Sequence, residues 1–352
     1  MKKDLLLPEH QQSQPHPQPS SWSRRDVLRA GGAAALAGIG GSLAAGSAWS
    51  AGAPHKLTFA WSAVAFCLSP VVVAQEKGIF EKNGLQVELL NWGGSTDQLL
   101  EALATGKADV GVGLIHRWLK PLESGFDVKV IGAAHGGCLR MVGVKNAGVT
   151  DWKQLKGKTI GVSDLNSPAK NFFAIHLAKR GVNVDKDVEW RVYPADLLDV
   201  AVKKGEIQAI ADGDPNVYLI EKRNQGVFTE IGNSGTGEYK DKICCITGAR
   251  GEFVRNNKPA AAAVVRSIIQ ASEYVAENPN EAAKLYAKYS PKVPVEDLRA
   301  LLTDLTYHNH PTGGALRSEV EYFARDFHTA GVLKKSTDPA RFASHVTVDV
   351  LA

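Results

Sequence analysis

Apolar residues along the chain switch between two spacings, and the switches mark its elements. Over Leu57–Trp61 they alternate as in a strand with one buried face. Ser69-Pro70 then reads as a helix start with Gly78 as its stop. Leu85, Val87 and Leu89 alternate again. Within Gly93–Gln98, Ser95 and Gln98 have capping-box spacing. They open a helix whose Leu99, Ala102 and Leu103 share a face and which ends near Gly106. Val110–Leu114 and Val128–Ala133 are short apolar strands. The order recurs after residue 150. Thr159–Ser163 is a strand, and Asn166-Ser167-Pro168 opens a helix with Phe172, Phe173 and Leu177 inward and Gly181 beyond it. Val188, Trp190 and Val192 alternate as a strand, Asp196–Lys204 is a helix, Ile207–Ala211 a strand, and Asp214-Pro215 another helix start. After the Gly/Asn/Ser/Thr-rich Gly232–Gly237 comes a strand over Ile243–Thr247. Helices follow over Ala261–Glu277, Pro279–Tyr289, Val295–Leu305 and Ser318–Ala330.

Strands alternating with helices predict an α/β fold with mainly parallel sheets. Ala104–Val112 resembles Val202–Ile210: each is a helix end, a glycine stop and a short buried strand. Two copies imply two pseudo-equivalent lobes, not a solenoid. We expect lobe 1 over residues 54–145 and 240–335, lobe 2 over 146–239, two chain crossings between them, and a C-terminal tail over 336–352. In open α/β sheets ligands bind outside the carboxyl ends of the strands. The site is therefore expected in the cleft between the lobes.

Residues 1–50 stand apart. Ser23-Arg24-Arg25-Asp26-Val27-Leu28-Arg29 precedes an Ala/Gly stretch from Ala30 to Ala48 in which Leu36, Ile39 and Leu43 are the only larger aliphatics. This reads as a twin-arginine export signal behind a disordered leader, with cleavage before Ala51 and a periplasmic mature chain. The segment lacks the strongly apolar run of about 20 residues that spanning requires, so no stable membrane insertion is expected after cleavage. Residues 1–50 hold five basic and three acidic side chains, so their removal lowers the formal charge from +4 to +2. That balance excludes nucleic acid as the main partner. Four cysteines, Cys67, Cys138, Cys244 and Cys245, lie in an export-competent chain where disulfides are permitted. Cys138 could bridge either member of the Cys244-Cys245 pair.

Several segments resemble a known family. Lys77-Gly-Ile-Phe-Glu-Lys-Asn-Gly-Leu, Gly93-Gly-Ser-Thr-Asp-Gln, Ala102-Leu-Ala-Thr-Gly-Lys-Ala-Asp-Val, Trp152-Lys-Gln-Leu-Lys-Gly-Lys and Gly213-Asp-Pro-Asn occur in the order found in nitrate/sulfonate/taurine-type solute-binding proteins of ABC importers. The same segments resemble the binding proteins for thiamine pyrimidine precursors. The resemblance covers about residues 56–330 and implies a type II periplasmic-binding-protein fold, two lobes closing over a small solute, with an ABC permease as partner. It implies a binder, not an enzyme, acting as a monomer without a cofactor. An alternative is an enzyme resembling the thiamine-pyrimidine synthases. Those carry a Cys-rich motif that Cys244-Cys245 alone does not reproduce.

The residues supply a physical case for the site. Helix N-termini bind anions through unpaired N–H groups, which makes Ser95, Thr96, Asn166 and Ser167 candidate ligand contacts. Asp214 reads first as a helix cap; facing the cleft it would favour an amine or ring N–H over a bare anion. Three expected loops follow strand ends and depart from the family pattern: Ala65-Phe66-Cys67, Ile115-His116-Arg117-Trp118 and His135–Arg140. They add Phe66, Cys67, His116, Arg117, His135 and Cys138 to the candidate lining. Arg117 or Arg140 would pair with an anion. A metal or metalloid carrier using Cys67, His135, Cys138 and Cys244 is a further alternative. His308 and His310 are expected on the surface, and Trp61 and Trp92 near strand ends in core packing or ring stacking.

Overall fold

The computed structural model describes residues 53–92 and 96–352. The proposed signal, residues 1–50, and Ser95 lie outside the described residues. Among the described residues ten strands form two five-stranded sheets. The first contains β1 (His55–Trp61), β2 (Leu85–Asn91), β3 (Val110–Leu114), β4 (Val128–His135) and β10 (Cys245–Arg250), in the order β2-β1-β3-β10-β4. The second contains β5 (Leu139–Val144), β6 (Thr159–Val162), β7 (Glu189–Val192), β8 (Ala209–Gly213) and β9 (Phe228–Asn233), in the order β7-β6-β8-β5-β9. Within each sheet four strands run the same way, and one strand arriving from the other lobe runs antiparallel to both neighbours: β10 between β3 and β4, β5 between β8 and β9. The two lobes are thus built on one plan, that of a periplasmic binding protein. No helix among the described residues is long and apolar enough to cross a membrane.

The helices are α1 (Ser69–Glu76), α2 (Ile79–Lys82), α3 (Thr96–Ala104), α4 (Ile115–Glu123), α5 (Pro168–Lys179), α6 (Leu198–Lys203), α7 (Asn216–Arg223), α8 (Gly251–Asn256), α9 (Lys258–Glu277), α10 (Pro279–Ala287), α11 (Val295–Asp304), α12 (Gly313–Thr329) and α13 (Pro339–Val346). In α1 the cap is Leu68 and Pro70 lies in the first turn, so Ser69 is helical instead of capping. Helix α9 packs on α1, and Ser272 Oγ donates to the Ala134 carbonyl at 3.0 Å. Residues 336–352 include a helix: Asp338 caps α13 by accepting from the Arg341 N–H at 2.7 Å, and the chain end then returns to β4 through Val348 N–H and the Val130 carbonyl at 3.0 Å.

Two strands have no counterpart in the sequence reading. β5 begins at Leu139, inside the segment expected as a loop, because the Gly136-Gly137 punctuation spans only the short link from β4 to β5. β9 carries Thr229, Glu230 and Asn233 at the edge of its sheet and so lacks an apolar run. A third expectation fails at Ile115–Trp118, which belongs to α4. Ile115, Trp118, Leu119 and Leu122 are buried at helical spacing. Trp118 fits between strands because β3 and β10 present glycine to it. A Cβ on Gly113 would lie 2.3 Å from the ring, and one on Gly248 2.4 Å. The core is continuous from the first sheet to α5, and a smaller cluster of Val142, Leu198, Ile210, Val217 and Phe228 fills part of the second lobe.

Candidate functional site

The carboxyl ends of β1, β3, β6 and β8 face one another across a cavity of about 250 Å³. From the first lobe come Ser62, Val64, Ala65 and Cys67 after β1, Leu114 at the end of β3, and Arg117 from the first turn of α4. The second lobe supplies Ser163 and Asp164 after β6, Ser167–Ala169 at the start of α5, and Asp212–Asp214 at the end of β8. Cys138 and Leu139, on the link from β4 to β5, close one wall.

Charges here are largely satisfied within the protein. Arg117 crosses the gap: its Nη1 lies 2.9 Å from the Asp164 carboxylate and donates to the Asn166 carbonyl. Burial raises Asp164, but the Asn166 N–H and Arg117 outweigh it and hold the carboxyl below its ordinary value. Nearby, Asn171 Nδ2 donates to the His116 carbonyl at 3.0 Å, a second link between α5 and α4. Arg140 Nε donates to Asp214 Oδ2 at 2.6 Å, and the same guanidinium reaches Glu230 at 3.3 Å and Asp304 at 3.2 Å. Burial pushes Asp214 up to about 6 against the pull of Arg140. Asp212 differs. It accepts from neutral donors, Ser163 Oγ at 3.0 Å, Gly213 N–H at 2.8 Å and Asn216 Nδ2 at 3.2 Å, and burial raises its carboxyl.

Five of the sequence candidates line this cavity or its wall: Cys67, Arg117, Cys138, Ser167 and Asp214. Ser167 also caps α5 by accepting from the Lys170 N–H at 3.0 Å. Thr96 is the first residue of α3. The others are placed elsewhere. His116 is buried among Phe172, Phe323 and Phe327, because α4 turns it toward α5 and α12, and desolvation lowers its ring to about 3. Phe66 is buried in the Phe66–Leu68 turn. Asn166 is exposed and borders an outer hollow with Lys120 and Phe126. His135 ends β4 beneath the cavity, its ring 5.5 Å from that of Tyr307. Trp61 packs edge-on against Tyr286 and Tyr289, and His310 is half-buried, whereas His308 is exposed. Sequence reading missed Ser62, Ser163, Asp164 and Asp212. The signal was available, since each lies within two residues of the end of a strand whose carboxyl end faces the cleft.

All four cysteines are free and buried. Cys138 Sγ and Cys244 Sγ lie 3.0 Å apart, a contact that raises the Cys138 thiol and lowers that of Cys244. The donor atoms that converge with Cys67, His135 and Cys138 belong to Cys245, not Cys244.

Arg117 gives a direct handle on lobe closure. Arg117→Met is expected to cost about 1.5–3 kcal/mol, the range for a hydrogen bond to a charged group, and to raise the radius of gyration in small-angle scattering. An unchanged radius would show that this pair does not hold the lobes together.

Comparisons with known proteins agree with this geometry. The chain is similar to the alkanesulfonate-binding protein SsuA from Xanthomonas axonopodis pv. citri bound to MOPS, with TM-score 0.67 and 18% identity over 85% of this chain and 100% of that one. It is similar to the periplasmic nitrate-binding protein NrtA from Synechocystis PCC 6803, with TM-score 0.66 and 18% identity over 84% and 86%. In sequence it is 25% identical over 256 residues to a 4-amino-5-hydroxymethyl-2-methylpyrimidine phosphate synthase from Uromyces fabae, covering 66% of this chain and 69% of that protein. The model of the family described as NMT1/THI5 like matches residues 66–282, more than half of the chain. The protein belongs to the NMT1/THI5-like family.

Proposed function

We propose that this chain is the extracytoplasmic solute-binding component of an ABC importer. On this reading it is exported by the twin-arginine route, closes its lobes on a small polar organic solute and delivers it to a permease. The observation that carries the reading is the cavity enclosed by strand ends of both lobes, with Arg117 of one lobe bonded to Asp164 of the other. The sulfonate- and nitrate-binding neighbours share its fold, which supports the class. At about 250 Å³ the space is smaller than the roughly 300–1,000 Å³ of pockets for drug-sized ligands, so the solute has few heavy atoms.

The electrostatics favour a particular chemistry. Arg117 and Arg140 are engaged by Asp164 and Asp214, so neither guanidinium is held open for a bare anion. Among the described residues Asp212 accepts from neutral donors, and its carboxylate suits an amine or ring N–H. Ser62 and Ser167 offer hydroxyls to oxygens at the other end of the solute. A zwitterion of the taurine type meets both requirements; nitrate meets one.

Calorimetry against taurine, an alkanesulfonate without the amine, and nitrate tests this. Asp212→Asn is expected to weaken the amine-bearing solute at least about tenfold, or 1.4 kcal/mol, and to leave the amine-free sulfonate nearly unchanged. Equal losses for both, or no binding of any amine-bearing solute, would remove Asp212 from the site. Turnover of a bound solute would instead place the chain with the synthases of its family.

A further inference from the structure

We propose that Cys67, His135, Cys138 and Cys245 form a site for one resident thiophilic ion of the zinc type at the junction where the chain passes between its lobes. Cys67 lies in the turn after β1, His135 ends β4, Cys138 sits on the link to β5, and Cys245 opens β10 on the return. Residues far apart in sequence thus bring one donor atom each to a single point, all within 4.8 Å of one another. Each residue is at most 5% exposed.

Buried thiols alone are unremarkable, because free cysteine packs as a small apolar group. Two observations set this group apart. Three thiols and one imidazole make a complete tetrahedral set for zinc or a similar soft ion, and they stand near the separations such an ion imposes. Zn–S and Zn–N distances place donors roughly 3.3–3.8 Å apart, so contraction of about an ångström completes the sphere. Second, His135 is fully buried and its Nε2 has no hydrogen-bond partner among the described residues, while Nδ1 lies 3.3 Å from the Gly136 carbonyl. Leaving a ring nitrogen unsatisfied in such a place is costly. A carbonyl on one imidazole nitrogen leaves the other as a metal ligand.

The surroundings suit a fixed ion. Ser234 Oγ accepts from the N–H groups of Cys138 and Leu139 at 2.9 Å each, and Tyr307 donates to the Cys67 carbonyl at 3.0 Å, so the backbone carrying two ligands is anchored. Cys67 and Cys138 also line the cavity, which gives an ion a route in. Four protein donors close the coordination sphere, the pattern of a structural site. The ion would therefore tie the β4–β5 link to the start of β10, and it is independent of the transported solute. Cys244 lies outside the donor set, although its sulfur touches that of Cys138.

The test uses the full chain, reduced and stripped of metal by a chelator, and titrated with zinc alone against a chromophoric competitor. Expected are one equivalent taken up, proton release as thiols ionise, and a higher melting temperature. Cobalt as a second probe should give sulfur-to-metal charge-transfer absorption. Cys244→Ser should keep the full equivalent, whereas Cys67→Ser, Cys138→Ser and Cys245→Ser should each weaken uptake at least about tenfold. The idea fails if reduced, folded wild-type chain takes up no stoichiometric zinc, or if its cobalt form lacks the sulfur band. It fails equally if Cys244→Ser loses as much as Cys245→Ser. The wild-type titration decides even where a variant does not fold.

Discussion

Arg140→Met is expected to destabilise the folded chain by about 3–5 kcal/mol near pH 9, the cost of stranding a buried charge. Arg140 is the cation shared by Asp214, Glu230 and Asp304, and the Asp214 side chain is 1% exposed. Burial already pushes Asp214 up to about 6 with the guanidinium in place; without it the carboxyl must rise further. An acid whose pKa is higher folded than unfolded contributes its full stability below the unfolded value, about 3.9. That contribution is lost as pH rises through the folded value. The deficit of Arg140→Met should therefore be small near pH 4 and widen above about 6. Adding Asp214→Asn should recover most of it near pH 9. Urea unfolding at several pH values measures both. A deficit that neither changes with pH nor responds to Asp214→Asn would mean that Arg140 matters only for packing.

Trp118→Ala should cost about 3–5 kcal/mol, the range for emptying a large aromatic site. The ring is completely buried and fills the space that Gly113 and Gly248 leave on adjacent strands. The same geometry predicts that Gly248→Ala overpacks the seat and costs about 1–3 kcal/mol. Trp118 also has a functional bearing, because it fixes the turn of α4 that carries Arg117. Denaturant midpoints check the stability claim. A loss under about 1 kcal/mol in Trp118→Ala would show that the sheet collapses onto the empty seat.

Much of the architecture was legible in the residues. Period-two strands and capped helices gave the alternation, and the two Gly-terminated helix-to-strand segments revealed the lobes. Legibility failed where tertiary burial overrides local signals. Ile115–Trp118 looked like a loop because His116 and Arg117 are polar, yet both are buried in α4 against neighbours distant in sequence. β5 was hidden by the glycines before it. The site was half legible. Strand-end logic found Cys67, Arg117 and Cys138, and helix starts gave Ser167 and Asp214, but attention to helix caps drew it away from Ser163 and Asp212, which lie at the ends of their strands. Which of two adjacent cysteines faces His135 depends on strand phase, and one residue of phase reverses it.

Asp326 of α12, a helix packed on β4, accepts from Tyr239 and holds Lys179 of α5 at 2.9 Å. Together with the Arg117 pair it ties the second lobe to the first at two points. If the chain is the receptor proposed above, a guest enters only when these ties part, and its capture rate is set by how often they do. At high guest concentration that rate levels off instead of climbing, the kinetic mark of a receptor that opens first and binds second.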